Sequence, residues 1–278
     1  MSAQPPSHHE SAQIHASAHV DPDARLEDGV VVGPRCHVGP GVTLGKNVHL
    51  ISSVHIEGPA AIGQGTTIYP FAVIGMPGQD FKFSPADPTP GVVVGSGCVL
   101  REHVTIHAAT QQEFPTTVGD RCYLMVASHV GHDSVLGNEV ILVNSALLAG
   151  HVTVGDKAIL SGNTAVHQYC RVGKMAMLAG GVATTMDVPP YCLCDQINAT
   201  TGLNLVGLRR NGVPSASIDA LRYAFRTVID KSLPRTEAVS KLRELGQKDP
   251  YVSELAEFLA ESKRGVGRGS ARNTRRSR

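Results

Sequence analysis

The sequence predicts a mainly β fold: a left-handed parallel β-helix of hexapeptide repeats over residues 14–190, followed by a C-terminal α-helical domain over 191–264. Three observations predict it. Stepping by six from Ile14 meets Val20, Leu26, Val32, Val38, Leu44, Leu50, Ile56, Ile62, Ile68 and Ile74, all aliphatic. The step resumes at Val94, Leu100 and Ile106. It then runs from Val118 through Leu124, Val130, Leu136, Leu142, Leu148, Val154, Leu160, Val166 and Val172 to Leu178. With 42% of residues apolar, eleven consecutive hits arise by chance roughly once in ten thousand. Gly often follows the aliphatic slot, as at Gly33, Gly39, Gly131, Gly137 and Gly155. The chain also lacks Trp and holds only six Tyr and six Phe. Its core must therefore be built from small aliphatics at regular positions.

Taken in order, residues 1–13 are polar, carry Pro5, Pro6, His8 and His9, and read as a flexible N-terminus without an apolar signal segment. In the repeat, each hexad is a short strand and a corner. Three hexads close one triangular coil, so residues 18 apart stack. About 25 hexads give about eight coils, roughly 38 Å at ~4.8 Å per coil. Gly75–Thr89 and Ala108–Thr117 break the period and are expected to protrude as loops, the usual place for function on a solenoid. The period stops after Leu178, with Thr184 in the next slot. Beyond Pro214 and Ser215 the pattern turns helical, with Ile218, Leu221, Phe225, Val228 and Ile229 on one face. Thr236–Leu245 and Pro250–Ser262 are two further helices, expected to cover the last coil.

The net charge of +1 hides an asymmetry. Residues 263–278 carry seven basic side chains and no acid, leaving 18 basic against 24 acidic elsewhere. Residues 265–278 read as a basic, Gly- and Ser-rich disordered tail rather than a nucleic-acid binder. No run is apolar and long enough to span a membrane. Six Cys show no metal-binding spacing and read as reduced, buried thiols of a cytoplasmic protein.

Chemistry concentrates at four histidines: His129, His132, His151 and His167. The 18-residue coil places Gly150 on His132 and His151 on Asp133, all within about 10–15 Å along the axis. An imidazole beside a carboxylate suits proton abstraction near neutral pH. Gly150, without a side chain, exposes an amide to a developing oxyanion. A metal site is the rival reading. The hexapeptide-repeat proteins resembling gamma-class carbonic anhydrases use an H-x4-H pair, and no two histidines here have that spacing. No G-x-S-x-G elbow or P-loop occurs.

Around these residues the chain resembles the UDP-N-acetylglucosamine O-acyltransferases that begin lipid A synthesis. The matching stretches are Gly78-Gln79-Asp80-Phe81-Lys82, Val104-Thr105-Ile106-His107, His129-Val130-Gly131-His132-Asp133 and Leu148-Ala149-Gly150-His151-Val152. Thr164-Ala165-Val166-His167-Gln168, Asp187-Val188-Pro189-Pro190-Tyr191 and Gly207-Leu208-Arg209-Arg210 continue the match, from about Ile14 to Arg264. The resemblance implies a cytoplasmic homotrimer with active sites between subunits. A hydroxyacyl chain passes from acyl carrier protein to the 3-hydroxyl of UDP-N-acetylglucosamine, with no cofactor and no metal. It makes His132 the general base, Asp133 its orienting partner and Gly150 the oxyanion amide. Asp80, His151 and Gln168 would contact the sugar or acyl group, and Lys82 and His129 the donor or phosphate region. Arg210 would meet the diphosphate, with His167 and Asn204 among the remaining substrate contacts. Gly180 would mark the closed end of the acyl groove, with Met177 near it.

Two departures stand out. Val206 replaces an acidic residue of the family, and Asn211 a basic one. They leave open a 3-amino UDP-sugar as acceptor. A related acyltransferase acting on a later lipid A intermediate usually carries an extra N-terminal domain, and here the hexads start at Ile14. A non-catalytic scaffold would not require His132, Asp133, Gly150 and His167 on neighbouring coils.

Overall fold

A backbone N–H or C=O in a two-residue strand has no partner within its own segment, so it must find one on the next coil. The computed structural model, which describes residues 11–84, 86–229 and 233–267, shows how it does so. Short parallel strands stack into three faces of 11, 9 and 8 strands. The first face begins at Gln13–Ile14, the second at His19–Val20 and the third at Arg25–Leu26. Registers run 18 apart wherever no loop intervenes: Val130 pairs with Leu148, and Leu148 with Val166. Bonds such as Gly131 N–H to Leu148 O (2.9 Å) and Val135 N–H to Val152 O (2.9 Å) carry the ladder from coil to coil. The described strands make eight full coils and most of a ninth.

The aliphatic slots of the repeat fill the prism. Leu44, Leu50, Ile56, Ile68, Leu100, Leu124 and Leu142 are completely buried, each contributing about 1.5–3 kcal/mol relative to exposure. At the end of the series Thr184 occupies the core slot, buried, and satisfies its hydroxyl by donating to Met186 O at 2.8 Å. The alternate side chains face outward.

At most corners one residue adopts a left-handed backbone, as at Arg35, Asn47, Ser53, Asp133, His151 and Tyr169. Such a conformation costs an L-residue roughly 1–2 kcal/mol, and the coil ladder supplies that cost. The corner between the second and third faces carries both interruptions. One loop joins Val73–Met76 to Val92–Val94, and the other joins Thr105–His107 to Thr116–Val118. Thr116 and Thr117, expected in the loop, already belong to the following strand.

The C-terminal part departs from a purely helical reading. Cys192–Gln196 adds a parallel strand beside Met177–Leu178, then turns into an antiparallel hairpin with Ala199–Leu203. Four α-helices follow among the described residues, α1 (Leu205–Arg210), α2 (Ser215–Ala224, continued by a π-helical turn over Phe225–Ile229), α3 (Arg235–Gly246) and α4 (Pro250–Glu261). The last three match the predicted segments. Asp249 caps α4 by accepting from the Tyr251 and Val252 amides, with Pro250 in the first turn as its fixed φ favours. Leu208, Leu221, Leu242 and Leu255 pack around Tyr191 at the solenoid end. Asp187 ties the two parts together, accepting from Ser262 Oγ at 2.7 Å and from the Arg171 amide at 2.8 Å.

The expected tail boundary at Gly265 does not hold: Gly265 O accepts from the Asp187 amide at 2.8 Å, and Val266 bridges Asp187 in parallel. Nor does the expected boundary at residue 13, because Gln13 already pairs with Val31. Residues 1–10 and 268–278 lie outside the described residues.

Stacking this tight makes some glycines obligatory. A Cβ at Gly33 would lie 1.9 Å from Ile51 O, a backbone atom of the next coil. Gly33→Ala is therefore expected to destabilise by about 1–3 kcal/mol through overpacking. Urea unfolding checks this, and an unchanged midpoint would mean that the coils separate at no cost.

Candidate active site

The corner between the second and third faces places Asp133, His151 and Tyr169 in one column, with φ of 59°, 61° and 64°. The left-handed turn lifts each side chain off the prism. His132 precedes Asp133 and is buried, 9% exposed. Its Nδ1–H donates to Asp133 Oδ2 at 2.6 Å, which leaves Nε2 as the ring's acceptor.

Asp133 is held from several sides. The Thr110 amide (3.0 Å) and the Gln111 amide (2.9 Å) donate to Oδ1, and the Thr110 hydroxyl donates to Oδ2 at 2.7 Å. Its own amide donates to Thr116 Oγ1 at 2.8 Å. The second loop is thus fastened to the carboxylate that orients His132. Burial pushes the Asp133 carboxyl up. The hydrogen bonds from His132, Gln111 and Thr110, with the nearby His151, outweigh it and bring it down to about 2. Asp133 is therefore a permanent anion at neutral pH.

Gly150 lies against the ring itself. A Cβ there would come within 2.6 Å of His132 Nε2 and 2.5 Å of Cε1. Only glycine lets the imidazole occupy that space. The Gly150 N–H has no hydrogen-bond partner among the described residues, so a free amide sits beside the acceptor nitrogen. From the other side the first loop closes in: a Cβ at Gly78 would lie 2.8 Å from His132 Cβ.

His151 packs edge-on to His132, with centroids 5.2 Å apart, and stacks on Tyr169 at 4.5 Å. Its Nε2 lies 3.5 Å from Asp133 Oδ2. Burial pushes its imidazole below the usual range, opposed by the charges of Asp133 and Asp80. Asp80 stands on the first loop, which leaves the prism at the same corner. Lys82 follows on the first loop, its amide donating to Asp80 Oδ1 at 2.9 Å while its side chain reaches solvent. His129 stands on the outer second face. Its Nδ1 pairs with Thr105 Oγ1 at 2.7 Å, and its ring meets His107 edge-on at 4.8 Å. Burial, then the neighbouring His107 and His132, holds its imidazole down to about 4.

Gln168 and His167 occupy the same corner one coil beyond Gly150, both exposed. His167 is turned towards the C-terminal part, where Arg264 donates to its Nδ1 at 2.6 Å. Arg264 and Lys263, read from sequence as the start of a basic run, line a groove with His151, Tyr169 and Arg171.

Three expected site residues stand elsewhere in this chain. Asn204 is buried at the start of α1, with Nδ2 donating to Met175 O at 2.9 Å and Oδ1 accepting from the Gly207 amide at 3.0 Å. These two bonds use one N–H and one lone pair of a side-chain amide that has two of each. Arg210 ends α1, exposed, beside Asn211, which lines a groove over the first face with Tyr123, Ile141 and Ile159. Gly180 lies at the corner between the first and second faces, where a Cβ would meet only Gly162 O at 3.5 Å. Thr110, Gln111 and Gly78 were not singled out, because the loops interrupt the register that would have located them. Tyr169 was not singled out either, although its place 18 residues beyond His151 is a signal that could have found it.

His132, Asp133 and His151 also offer ligand atoms within 4.8 Å of one another. A metal there would compete with the His132 proton and with the Thr110 and Gln111 donors for the same carboxylate oxygens. The arrangement serves orientation of the imidazole better than coordination.

A family model described as UDP N-acetylglucosamine O-acyltransferase, domain 2, matches residues 187–267, and a bacterial transferase hexapeptide model matches residues 11–46. The chain is 40% identical over 258 residues to the acyl-(acyl-carrier-protein)–UDP-N-acetylglucosamine O-acyltransferase of Thermodesulfovibrio yellowstonii, covering 92% of this chain and 99% of that one. The protein of the same name from Halorhodospira halophila is 44% identical, over 91% and 98%. Among solved structures, the UDP-N-acetylglucosamine acyltransferase of Francisella novicida superimposes with a TM-score of 0.90 at 35% identity, over 93% and 95% of the two chains.

The Asp133 carboxyl holds its proton less tightly when folded than its ordinary 3.8. Its stabilising contribution is therefore fully present above about pH 5 and lost as pH falls towards 2. Asp133→Asn is expected to cost about 1–3 kcal/mol at pH 7, because buried donors lose their acceptor. The gap between the two proteins should narrow below pH 4. Urea midpoints across that range check this, and a constant gap would exclude a depressed carboxyl.

Proposed function

We infer the reaction from one premise: the chain belongs to the UDP-N-acetylglucosamine O-acyltransferase family. It is an acyltransferase, moving a (3-hydroxy)acyl chain from acyl carrier protein to the 3-hydroxyl of UDP-N-acetylglucosamine, the first step of lipid A synthesis. The observation that carries the mechanism is the 2.6 Å bond from His132 to a fully engaged Asp133, with Nε2 beside the space that Gly150 leaves without a side chain.

His132 Nε2 takes the proton of the sugar O3 as that oxygen attacks the thioester carbonyl. Asp133 fixes the ring and stabilises the imidazolium that forms. The tetrahedral oxyanion accepts a hydrogen bond from the preformed Gly150 amide. Collapse expels the carrier's thiolate, which recovers the proton from His132. Every group the step requires belongs to the chain or its two substrates. Asp80, His151 and Gln168 are assigned to the sugar and acyl group, and Lys82 and His129 to the donor side.

Gly180 and Arg210 stand away from the corner that holds His132 in one chain. A homotrimer with active sites between subunits would let them line one site with His132 of a neighbouring copy. The exposed Phe81 and Phe114 on the two loops supply apolar surface suited to such a contact. The six buried free cysteines suit the reducing cytoplasm. Among the described residues, no helix is long and apolar enough to cross a membrane. Val206, 58% exposed on α1, offers no acid to a nucleotide sugar. A 3-amino acceptor is the second reading that this favours.

His132→Ala is expected to stay folded and to lose acyl transfer at least about a hundredfold. Mass spectrometry of the product from UDP-N-acetylglucosamine and acyl-carrier-protein thioesters measures this. An ester confirms the acceptor, whereas turnover only of the 3-amino sugar, giving an amide, selects the second reading. Near-normal turnover of His132→Ala removes it as the base.

Gly180→Met tests the groove. A side chain fits there without backbone strain, and each buried methylene contributes about 0.8 kcal/mol. Two methylenes displaced shift preference by roughly fifteenfold towards shorter donors. Competition between thioesters of different length reads the ratio. An unchanged profile places the groove's end nearer Met177.

A further inference from the structure

We propose that the second face carries a site for a divalent transition-metal ion such as zinc, built by His37, His55 and Glu57 and separate from the His132 corner. The coil ladder creates it. His37 and His55 pair directly across neighbouring coils, and Glu57 follows two positions after His55, at the outgoing corner. The two imidazoles stack with centroids 4.4 Å apart and planes 15° from parallel. His19 stacks on the far side of His37 at 5.0 Å, so the middle ring is held from both sides.

The two rings aim at one oxygen. Glu57 Oε1 lies 2.8 Å from His55 Nε2 and 3.3 Å from His37 Nε2. Glu57 must lean back across a coil to reach His37, and the position it crosses is Gly39. A Cβ there would lie 2.6 Å from Glu57 Oε2. The glycine therefore clears the path that lets one carboxylate serve two coils. One ligand atom from each residue lies within 4.8 Å of the others.

Two imidazole nitrogens and one carboxylate suit zinc, cobalt or nickel, whereas calcium and magnesium call for oxygen alone. Ligands about 2.0–2.1 Å from a tetrahedral ion stand roughly 3.3 Å apart. The His37–Glu57 pair already has that spacing, and small side-chain rotations bring the third atom to it. The side chains are about one-third exposed, so an ion can enter and keep water in its remaining position. Bound there, it would clamp the second and third coils. It would also stiffen the root of the first loop, since a Cβ at Gly75 would lie 2.0 Å from Glu57 O.

The test is zinc titration of the full-length, chelator-treated chain by calorimetry, with His37→Gln, Glu57→Gln, His132→Ala and the double variant His8→Gln/His9→Gln alongside. The wild type, His132→Ala and the double variant are expected to take up one zinc with a common affinity. His37→Gln and Glu57→Gln are expected to bind it at least about tenfold more weakly. Both replace groups on the outer face, and circular dichroism verifies their fold. Anomalous scattering from zinc-soaked crystals should place the ion about 2.0–2.2 Å from the three atoms. The proposal is overturned if no zinc binds, if both Gln variants keep full affinity, or if the ion sits instead at the His132 corner or the N-terminal histidines.

Discussion

The structure rests on a single constraint, the backbone ladder between coils. Two-residue strands cannot satisfy their amides locally, so each coil borrows its partners from the next. The ladder fixes what lies above what. It stacks Gly150 on His132, sets His151 and Tyr169 in column with Asp133, and puts His55 on His37. The aliphatic slots fill the prism because the same ladder returns every sixth residue to the interior. A site assembled this way is held by main chain, which explains its precision in a protein with little aromatic packing.

The carboxylate at the centre of the corner illustrates how burial and hydrogen bonding are set against each other. An isolated buried anion is costly, and Asp133 is compensated by donors from its own corner and from the second loop. The loop gains a fixed anchor, and the imidazole gains a fixed orientation. His129 and His151 answer burial differently, by favouring the uncharged ring. The corner thus sets the Asp133 anion among rings that favour the neutral form. In the proposed mechanism, a proton taken up by His132 would create a cation where a counter-ion already waits.

Much of this was legible in the sequence because an exact period turns spacing into geometry. Counting by 18 located Gly150 on His132 and His151 on Asp133, and the pause at Thr184 marked the end of the core. The reading failed where the period does. Thr110 and Gln111 sit in a loop of no fixed register, so their bonds to Asp133 leave no mark in the spacing. Asn204, placed among the substrate contacts by resemblance, also caps α1, a role that the spacing does not reveal. Gly265 and Val266 looked like the start of a tail, yet they close on Asp187. Gly180 and Arg210 stand at other corners of the single chain than His132, so counting along one chain does not bring them together.

The two loops leave the prism at one corner, and apart from a shift of register at Met76 the rungs resume beyond them: Val92 pairs with Ala60 across the first, and Thr116 with Val92 across the second. The coil is therefore a modular unit of length, and insertions are tolerated wherever they return the chain to the same rung. A gene that duplicated one whole coil between Val154 and Leu160 would keep every buried slot and every corner in phase. It would carry the helical cap one rung further from His132. Evolution or engineering could in this way alter the reach between catalytic corner and cap in discrete steps, as a ruler is extended by whole divisions, while leaving the chemistry untouched.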